Sequence, residues 1–281
     1  MSTHSPTFLI VGAQKAGTTS MDFYLREHPD IFLYPKKEIH FFDNDERYAL
    51  GRNWYEKQFI KRKNEKAIGE CSPLYMYLKN VPKRIFDMFP EIKLIFMLRN
   101  PVNRALSHYK MEVRAGRETK NFADALNFEE ERILKGLYEK KYFSYKTRGL
   151  YLEQIERYLK FFDREQMHFV ILEEMKNNPE KVMKRIFNFL DVDPGIKLTR
   201  IYKSPRYVGK MPLSLKENYI FKNSPLGKIK FFRRAHDFLL TKYSTDVMNS
   251  ETEFLLYDYF KVPNENLFNF LGIENKFWNK R

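Results

Sequence analysis

Phe8-Leu9-Ile10-Val11-Gly12-Ala13-Gln14-Lys15-Ala16-Gly17-Thr18-Thr19-Ser20 decides how this chain begins to fold. Residues 7–12 are a β-branched and apolar run closed by glycine, which reads as a buried strand. A loop follows, and an amphipathic helix is expected over 18–27. A helix N-terminus presents amide N–H groups without intrahelical partners, and its dipole favours negative charge, so a strand, loop and helix in this order make an anion site. The loop has the G-x-x-x-x-G frame of a nucleotide-binding Walker A loop. The residue after its second glycine is Thr18 where that loop has lysine, and a lysine stands earlier, as Lys15. A Walker lysine and its Mg²⁺-binding hydroxyl serve the β- and γ-phosphates of a triphosphate. Their displacement points to a ligand with less charge and no metal.

The same unit recurs near the middle of the chain. Residues 92–98 are a continuous apolar run suited to a buried parallel strand. Asn100 can cap a helix with Pro101 at its first position, running to about residue 115 where Gly116 stops it. Between the two units the pattern predicts a helix over 54–62, a strand over 67–70 and a helix over 81–89. Further helices are expected over 122–135 and 149–162, a strand over 167–172 and a helix over 179–190. This alternation predicts an α/β, P-loop-like three-layer fold with a central parallel β-sheet flanked by helices. Residues 193–212 read as a long functional loop, followed by helices over 213–221, 227–240, 250–260 and 264–271. One domain spanning 1–281 is expected, with 7–190 as its cofactor-binding core and 191–281 as a basic loop and helical part.

A chain of 281 residues with 43% hydrophobic and 16% aromatic content has ample material for a core, which excludes a disordered tail or a fibre. No apolar run approaches the roughly 18 residues of a membrane-spanning helix. The polar stretch 1–6 leads directly into a strand with no leader pattern, so a cytoplasmic protein is expected. The single cysteine, Cys71, cannot form an intramolecular disulfide and fits a reducing compartment. The six histidines are scattered without metal-ligand spacing, so no metal is expected. A formal charge of +14 attracts anions. Nucleic acid is set aside, because the lysines are spread along the chain and no helix-turn-helix, RNP or zinc-finger signature accompanies them.

A second anion site is readable in Met97-Leu98-Arg99-Asn100-Pro101-Val102-Asn103-Arg104-Ala105-Leu106-Ser107. Arg99 stands at the carboxyl end of a strand, where ligands of open α/β sheets bind, and Ser107 on the second turn of the next helix. An arginine there can make paired charge-assisted bonds to a phosphate. Taken together, Gln14 to Ser20 resembles the 5′-phosphosulfate-binding loop of sulfotransferases that use 3′-phosphoadenosine-5′-phosphosulfate (PAPS), and Arg99 to Ser107 resembles their 3′-phosphate motif. The resemblance implies PAPS as donor and adenosine 3′,5′-bisphosphate (PAP) as product. Lys15, Ala16, Gly17, Thr18, Thr19 and Ser20 then hold the 5′ side, and Arg99 and Ser107 the 3′-phosphate. The segment 69–75 resembles the stretch between these motifs, and Arg148-Gly149-Leu150-Tyr151 the helix start after them, which adds Tyr151. Lys203, Arg206 and Lys210 resemble a late basic segment closing over the 3′-phosphate. The resemblance covers residues 8–190 well and the C-terminal third loosely.

Lys36-Lys37-Glu38-Ile39-His40-Phe41-Phe42-Asp43 places Glu38 and His40 on one side if the segment is extended. A carboxylate beside apolar rings can have a raised pKa and act as a base. The segment resembles the Glu-x-His-Phe-Phe signature of heparan sulfate and related carbohydrate sulfotransferases, which implies Glu38 as catalytic base, with His40 as orienter or alternative base. Lys15 is the cation beside the bridging oxygen, where in-line sulfuryl transfer develops charge. The acceptor implied is a hydroxyl or amine of a carbohydrate, a lipid or polyketide, or a small molecule, and a P-loop nucleotide-dependent kinase is the alternative. Heparan-type enzymes often carry Arg where Thr19 stands and Lys where Cys71 stands, which weakens the case for a sulfated polysaccharide. Cys71 itself reads as a small buried hydrophobe. Residues 228–240 form a basic amphipathic helix, for which core packing is expected over contact with a membrane.

Overall fold

Strand β1, Phe8–Gly12, is buried along its whole length, which is why its sequence is apolar at successive positions rather than alternating. It lies centrally in a five-stranded sheet of order β2-β3-β1-β4-β5, with β2 at Ile31–Leu33, β3 at Ala67–Cys71, β4 at Lys93–Leu98 and β5 at Met167–Ile171. All four pairings are parallel, with registers that include Ile10↔Cys71, Ile10↔Ile95 and Leu98↔Ile171. Helices flank this sheet, so the α/β architecture is as the alternation of patterns predicts. The computed structural model describes residues 5–199, 210–239, 241–243 and 248–278.

The chain forms two compact units. Residues 5–99 and 151–199 make one, which contains the parallel sheet, and residues 100–150 and 210–278 make the other. In the first, the carboxyl ends of β1, β3 and β4 carry Gly12, Cys71 and Leu98. In the second, the helix Pro101–Arg114 starts as its sequence predicts, the Asn100 side chain accepting the amides of Val102 and Asn103 at 3.0 and 3.2 Å. Its apolar side packs Val102, Ala105 and Tyr109 against Phe122, Leu256 and Phe260. A small antiparallel pair joins β6, Lys210–Pro212, to β7, Thr241–Tyr243.

Several boundaries depart from expectation. β2 was not read, being a three-residue edge strand. The helix expected over 54–62 begins earlier, at Gly51, and gives way after Glu56 to a 3₁₀ turn, Lys57–Phe59. The expected 122–135 helix is broken at Phe128 into Phe122–Asn127 and Glu129–Ile133. The break places the buried Glu129 carboxylate where it accepts the amides of Lys146 and Thr147 at 2.5 and 2.8 Å, a tertiary demand that periodicity does not show. The helix expected from 149 starts at Tyr151, after a 3₁₀ turn Thr147–Gly149. The two helices expected over 250–260 and 264–271 are one, Ser250–Leu271, running through Pro263. Residues 227–240 divide into Pro225–Lys228 and Lys230–Leu239, and core packing of this segment is not observed: Phe231, Phe232, Phe238 and Leu239 are exposed.

Candidate active site

The helix Thr18–Leu25 follows the loop from β1, and its N-cap, Gly17, has φ 91°. The left-handed region disfavours a side chain there, and its Cβ, 2.5 Å from Leu172 Cδ1, would also require the leucine side chain to shift. Gly12 is equally constrained, with φ +153° and Met76 Cβ 2.6 Å from where its own Cβ would stand. The loop is tied to the sheet by Ala13, whose amide donates to the Met97 carbonyl at 2.7 Å. Lys15 adopts φ 70°, and its carbonyl accepts from Arg99 Nη1 at 3.0 Å. The two residues read from sequence as separate anion anchors are therefore neighbours across the ends of β1 and β4. Arg99 is half-buried; desolvation lowers its pKa, opposed by the charge of Glu173. Its backbone carbonyl accepts from the buried Tyr151 hydroxyl at 2.8 Å, which ties the helix Tyr151–Leu159 to the end of β4.

The segment 36–43 is not a strand. Lys37 and His40 have φ of 76° and 54°, so Glu38 and His40 meet through a turn rather than through the alternation of an extended chain. Among the described residues, three of the four non-glycine positions with positive φ are Lys15, Lys37 and His40, and such backbone conformations concentrate at functional sites. Phe41 and Phe42 are buried and anchor the turn. Phe41 stacks on Tyr55 at 4.6 Å between ring centroids, and Phe42 meets Tyr75 edge-on at 5.5 Å. Arg84 Nη1 donates to the Phe42 carbonyl at 3.0 Å, and Arg47 donates to the Ile39 carbonyl.

Beneath the turn lies Glu70, a fully buried carboxylate on β3. One oxygen accepts the Tyr55 and Tyr75 hydroxyls at 2.7 and 2.9 Å, and the other accepts the Ser72 hydroxyl and the Ile39 amide at 2.7 and 3.1 Å. Burial pushes its pKa up, against the pull of these donors. Above it, the partly exposed polar groups form a continuous line. Lys37 Nζ donates to Thr19 Oγ1 at 2.8 Å and lies 3.5 Å from Glu38 Oε1. Glu38 Oε2 is 3.1 Å from His40 Nε2, and His40 Nδ1 is 2.9 Å from the buried Asp43 carboxylate.

This arrangement reverses one expectation. Burial does raise the Glu38 carboxyl, but the hydrogen bonds and charges of His40 and Lys37 outweigh it and hold the pKa below its usual value. His40 is pushed up to about 9, first by its hydrogen bond to Asp43 and next by that to Glu38. At neutral pH the pair is therefore a carboxylate beside an imidazolium.

Residues 5–237 match the sulfotransferase domain family. The chain belongs to the sulfotransferase family. It is 35% identical over 199 residues to heparan sulfate glucosamine 3-O-sulfotransferase 5 of Mus musculus, a match covering 70% of this chain and 56% of that protein. The chain thus spans about half the length of such relatives. Similarity to a membrane-associated sulfotransferase of Dictyostelium discoideum is 26% identity, over 98% of this chain and 67% of that one. Among solved structures, a sulfotransferase from Alicyclobacillus acidocaldarius superposes with TM-score 0.73 at 30% identity, covering 98% of this chain and 99% of that one. A mouse sulfotransferase complexed with PAP shares the fold, with TM-score 0.53 at 17% identity over 93% of this chain and 84% of that one.

In this sulfotransferase-family chain, the first unit holds Lys15, Ala16, Gly17, Thr18, Thr19, Ser20, Glu38, His40, Arg99 and Tyr151. Ser107 lies on the helix Pro101–Arg114 in the second unit, half-buried. Nearby on that helix Arg104 is fully buried and donates to the Tyr145 carbonyl. Lys203 and Arg206 lie outside the described residues, and Lys210 is described only as backbone, in β6. Cys71 is buried, and desolvation pushes its thiol well above the ordinary range, as expected of a small core residue. Sequence reasoning assigned no role to Lys37, Asp43 or Glu70. Two signals were present: an acidic residue inside an apolar strand, and a carboxylate three positions after a histidine.

Proposed function

We propose that this chain transfers a sulfuryl group from PAPS to a hydroxyl of a carbohydrate or small-molecule acceptor by metal-free in-line displacement. The observation that carries the reading is the polar line from Thr19 through Lys37, Glu38 and His40 to Asp43, which links the first turn of the helix after β1 to the Glu38 carboxylate. The donor set suits this cofactor: a lysine in the loop, three hydroxyls on the first helical turn, and an arginine 3.0 Å from the Lys15 carbonyl. Bound there, PAPS supplies the activated sulfuryl group. Lys15, Ala16, Gly17, Thr18, Thr19 and Ser20 hold its 5′ side, and Arg99 its 3′-phosphate. Ser107, Tyr151, Lys203, Arg206 and Lys210 keep the cofactor-binding roles that the family motifs imply. Lys15 offsets charge developing on the leaving phosphate oxygen.

Glu38 accepts the proton of the acceptor hydroxyl. His40 orients it as an imidazolium, which has no lone pair with which to act as a base. Family membership and the displaced loop lysine both favour this chemistry over that of a nucleotide kinase. Relatives named for heparan sulfate glucosamine support a carbohydrate acceptor, while Thr19 and Cys71 leave fewer cations for a polyanionic one. The family match runs through residues of both units, which supports one functional domain. The single cysteine supports a reducing, cytoplasmic compartment.

The test is titration calorimetry with PAP, followed by an acceptor screen with ³⁵S-labelled PAPS in the presence and absence of EDTA. PAP binding and EDTA-insensitive transfer are expected. Failure to bind PAP, or loss of transfer on chelation, rejects the proposal.

A further inference from the structure

In the second unit, the helix Lys230–Leu239 is docked by its polar side. His236 is buried and stacks on Phe221 with ring centroids 4.1 Å apart and planes 3° from parallel. The neighbouring Asp237 carboxylate accepts from Lys222 Nζ at 2.5 Å. At 3.6 residues per turn, Phe231, Phe232, Ala235, Phe238 and Leu239 share an arc of roughly 120°. A surface helix ordinarily buries such an arc. Here Phe231 is 74% exposed, Phe232 43%, Phe238 75% and Leu239 69%. Phe231 and Phe232 meet edge-to-face at 5.6 Å, a contact that leaves the Phe231 side chain mostly in water and that of Phe232 partly so.

The charges around this face say what covers it. Lys228, Lys230, Arg233 and Arg234 are exposed on or beside the helix, and its one acidic residue, Asp237, is engaged with Lys222. A second copy of the chain seated symmetrically here would set these four cations against themselves. Anionic headgroups complement them, while the aromatic rings fit the boundary between headgroups and acyl chains. Among the described residues no helix is long and apolar enough to cross a membrane, so the contact is peripheral. We propose that the Phe231, Phe232, Phe238 and Leu239 face seats on an anionic lipid bilayer surface, with Lys228, Lys230, Arg233 and Arg234 at headgroup level. This holds or fails independently of the sulfuryl-transfer reading.

Because the whole chain carries a formal charge of +14, attraction to anionic vesicles alone decides nothing; insertion of this face does. Trp reporters are placed in the full chain as Phe231→Trp and, at an 83% exposed apolar position elsewhere in the unit, Leu134→Trp. With phosphatidylcholine vesicles containing phosphatidylglycerol, Phe231→Trp emission is expected to shift to the blue and to be quenched by brominated acyl chains, while Leu134→Trp is unchanged. The double variant Phe231→Ser/Phe238→Ser should bind these vesicles at least about tenfold more weakly, with unaltered Tm. Equal responses of the two reporters, or vesicle binding by the double variant equal to wild type, overturns the proposal. So does a wild-type dimer that the double variant converts to monomer without any insertion signal.

Discussion

His40 Nε2 lies 3.1 Å from Glu38 Oε2 while its other ring nitrogen lies 2.9 Å from Asp43. One imidazole thus bridges a partly exposed carboxylate and a buried one. The bridge explains why the two members titrate in opposite directions. Two flanking carboxylates retain the proton of the ring, and the charged ring keeps Glu38 ionised. Each then has one job in the proposed reaction, Glu38 to receive a proton and His40 to hold Glu38 in place.

Replacing Glu38 with Gln removes the proton acceptor and leaves the shape. Turnover is expected to fall by about 10² to 10⁴, the usual contribution of a general base, with PAP affinity within about twofold of wild type because Glu38 is not among the groups assigned to the cofactor. Single-turnover transfer and PAP calorimetry measure the two. Near-normal transfer removes Glu38 from the base role.

The bridge also makes stability depend on pH. His40 titrates near 9 in the folded protein against 6.5 unfolded. A group whose pKa is raised by folding stabilises fully below its unfolded pKa and loses that contribution as pH rises through the folded value. The Tm difference between wild type and His40→Gln should therefore be widest at about pH 6 and close above about pH 9. A difference that grows with pH contradicts the assignment.

Glu70→Gln tests the support beneath the turn. A glutamine can still accept the Tyr55 and Tyr75 hydroxyls through its oxygen, but its NH₂ then faces the Ile39 amide, donor against donor. The expected loss is about 1–3 kcal/mol, measured by urea unfolding. Turnover should fall as well, because Ile39 separates Glu38 from His40 in the chain. Unchanged stability would mean that the amide turns or the turn relaxes.

The sheet and the strand-loop-helix unit at Phe8–Leu25 were legible because they are written locally. Buried strands read as apolar runs, Gly17 sits where φ 91° is required, and Asn100 and Pro101 start their helix by short-range chemistry. The turn that carries Glu38 and His40 was legible in composition but not in shape. Nothing in local propensity announces positive φ at Lys37 or His40, since tertiary anchoring of Phe41 and Phe42 imposes it. That anchoring also inverted the expected shift at Glu38: the aromatic rings face the core, and what reaches the carboxylate is Lys37 and His40. The break at Phe128 escaped for the same reason, being set by what Glu129 holds some distance along the chain.

Lys37 joins the two halves of the proposed site, and its removal gives a signed result. Its ammonium donates to Thr19 at 2.8 Å and stands 3.5 Å from Glu38 Oε1, so it favours the ionised carboxylate. In Lys37→Met that contribution is lost while burial and His40 remain. The Glu38 pKa should rise, and the acidic limb of the kcat/KM profile should move to higher pH, because a larger fraction of the base is protonated at any given acidity. If Lys37 served only to brace the turn, Lys37→Met would lower kcat/KM equally at every pH. Lys37→Arg keeps the charge and should leave the limb near its wild-type position even if altered geometry slows the reaction. A limb that stays put in Lys37→Met while activity falls uniformly would therefore remove Lys37 from the electrostatics of the base.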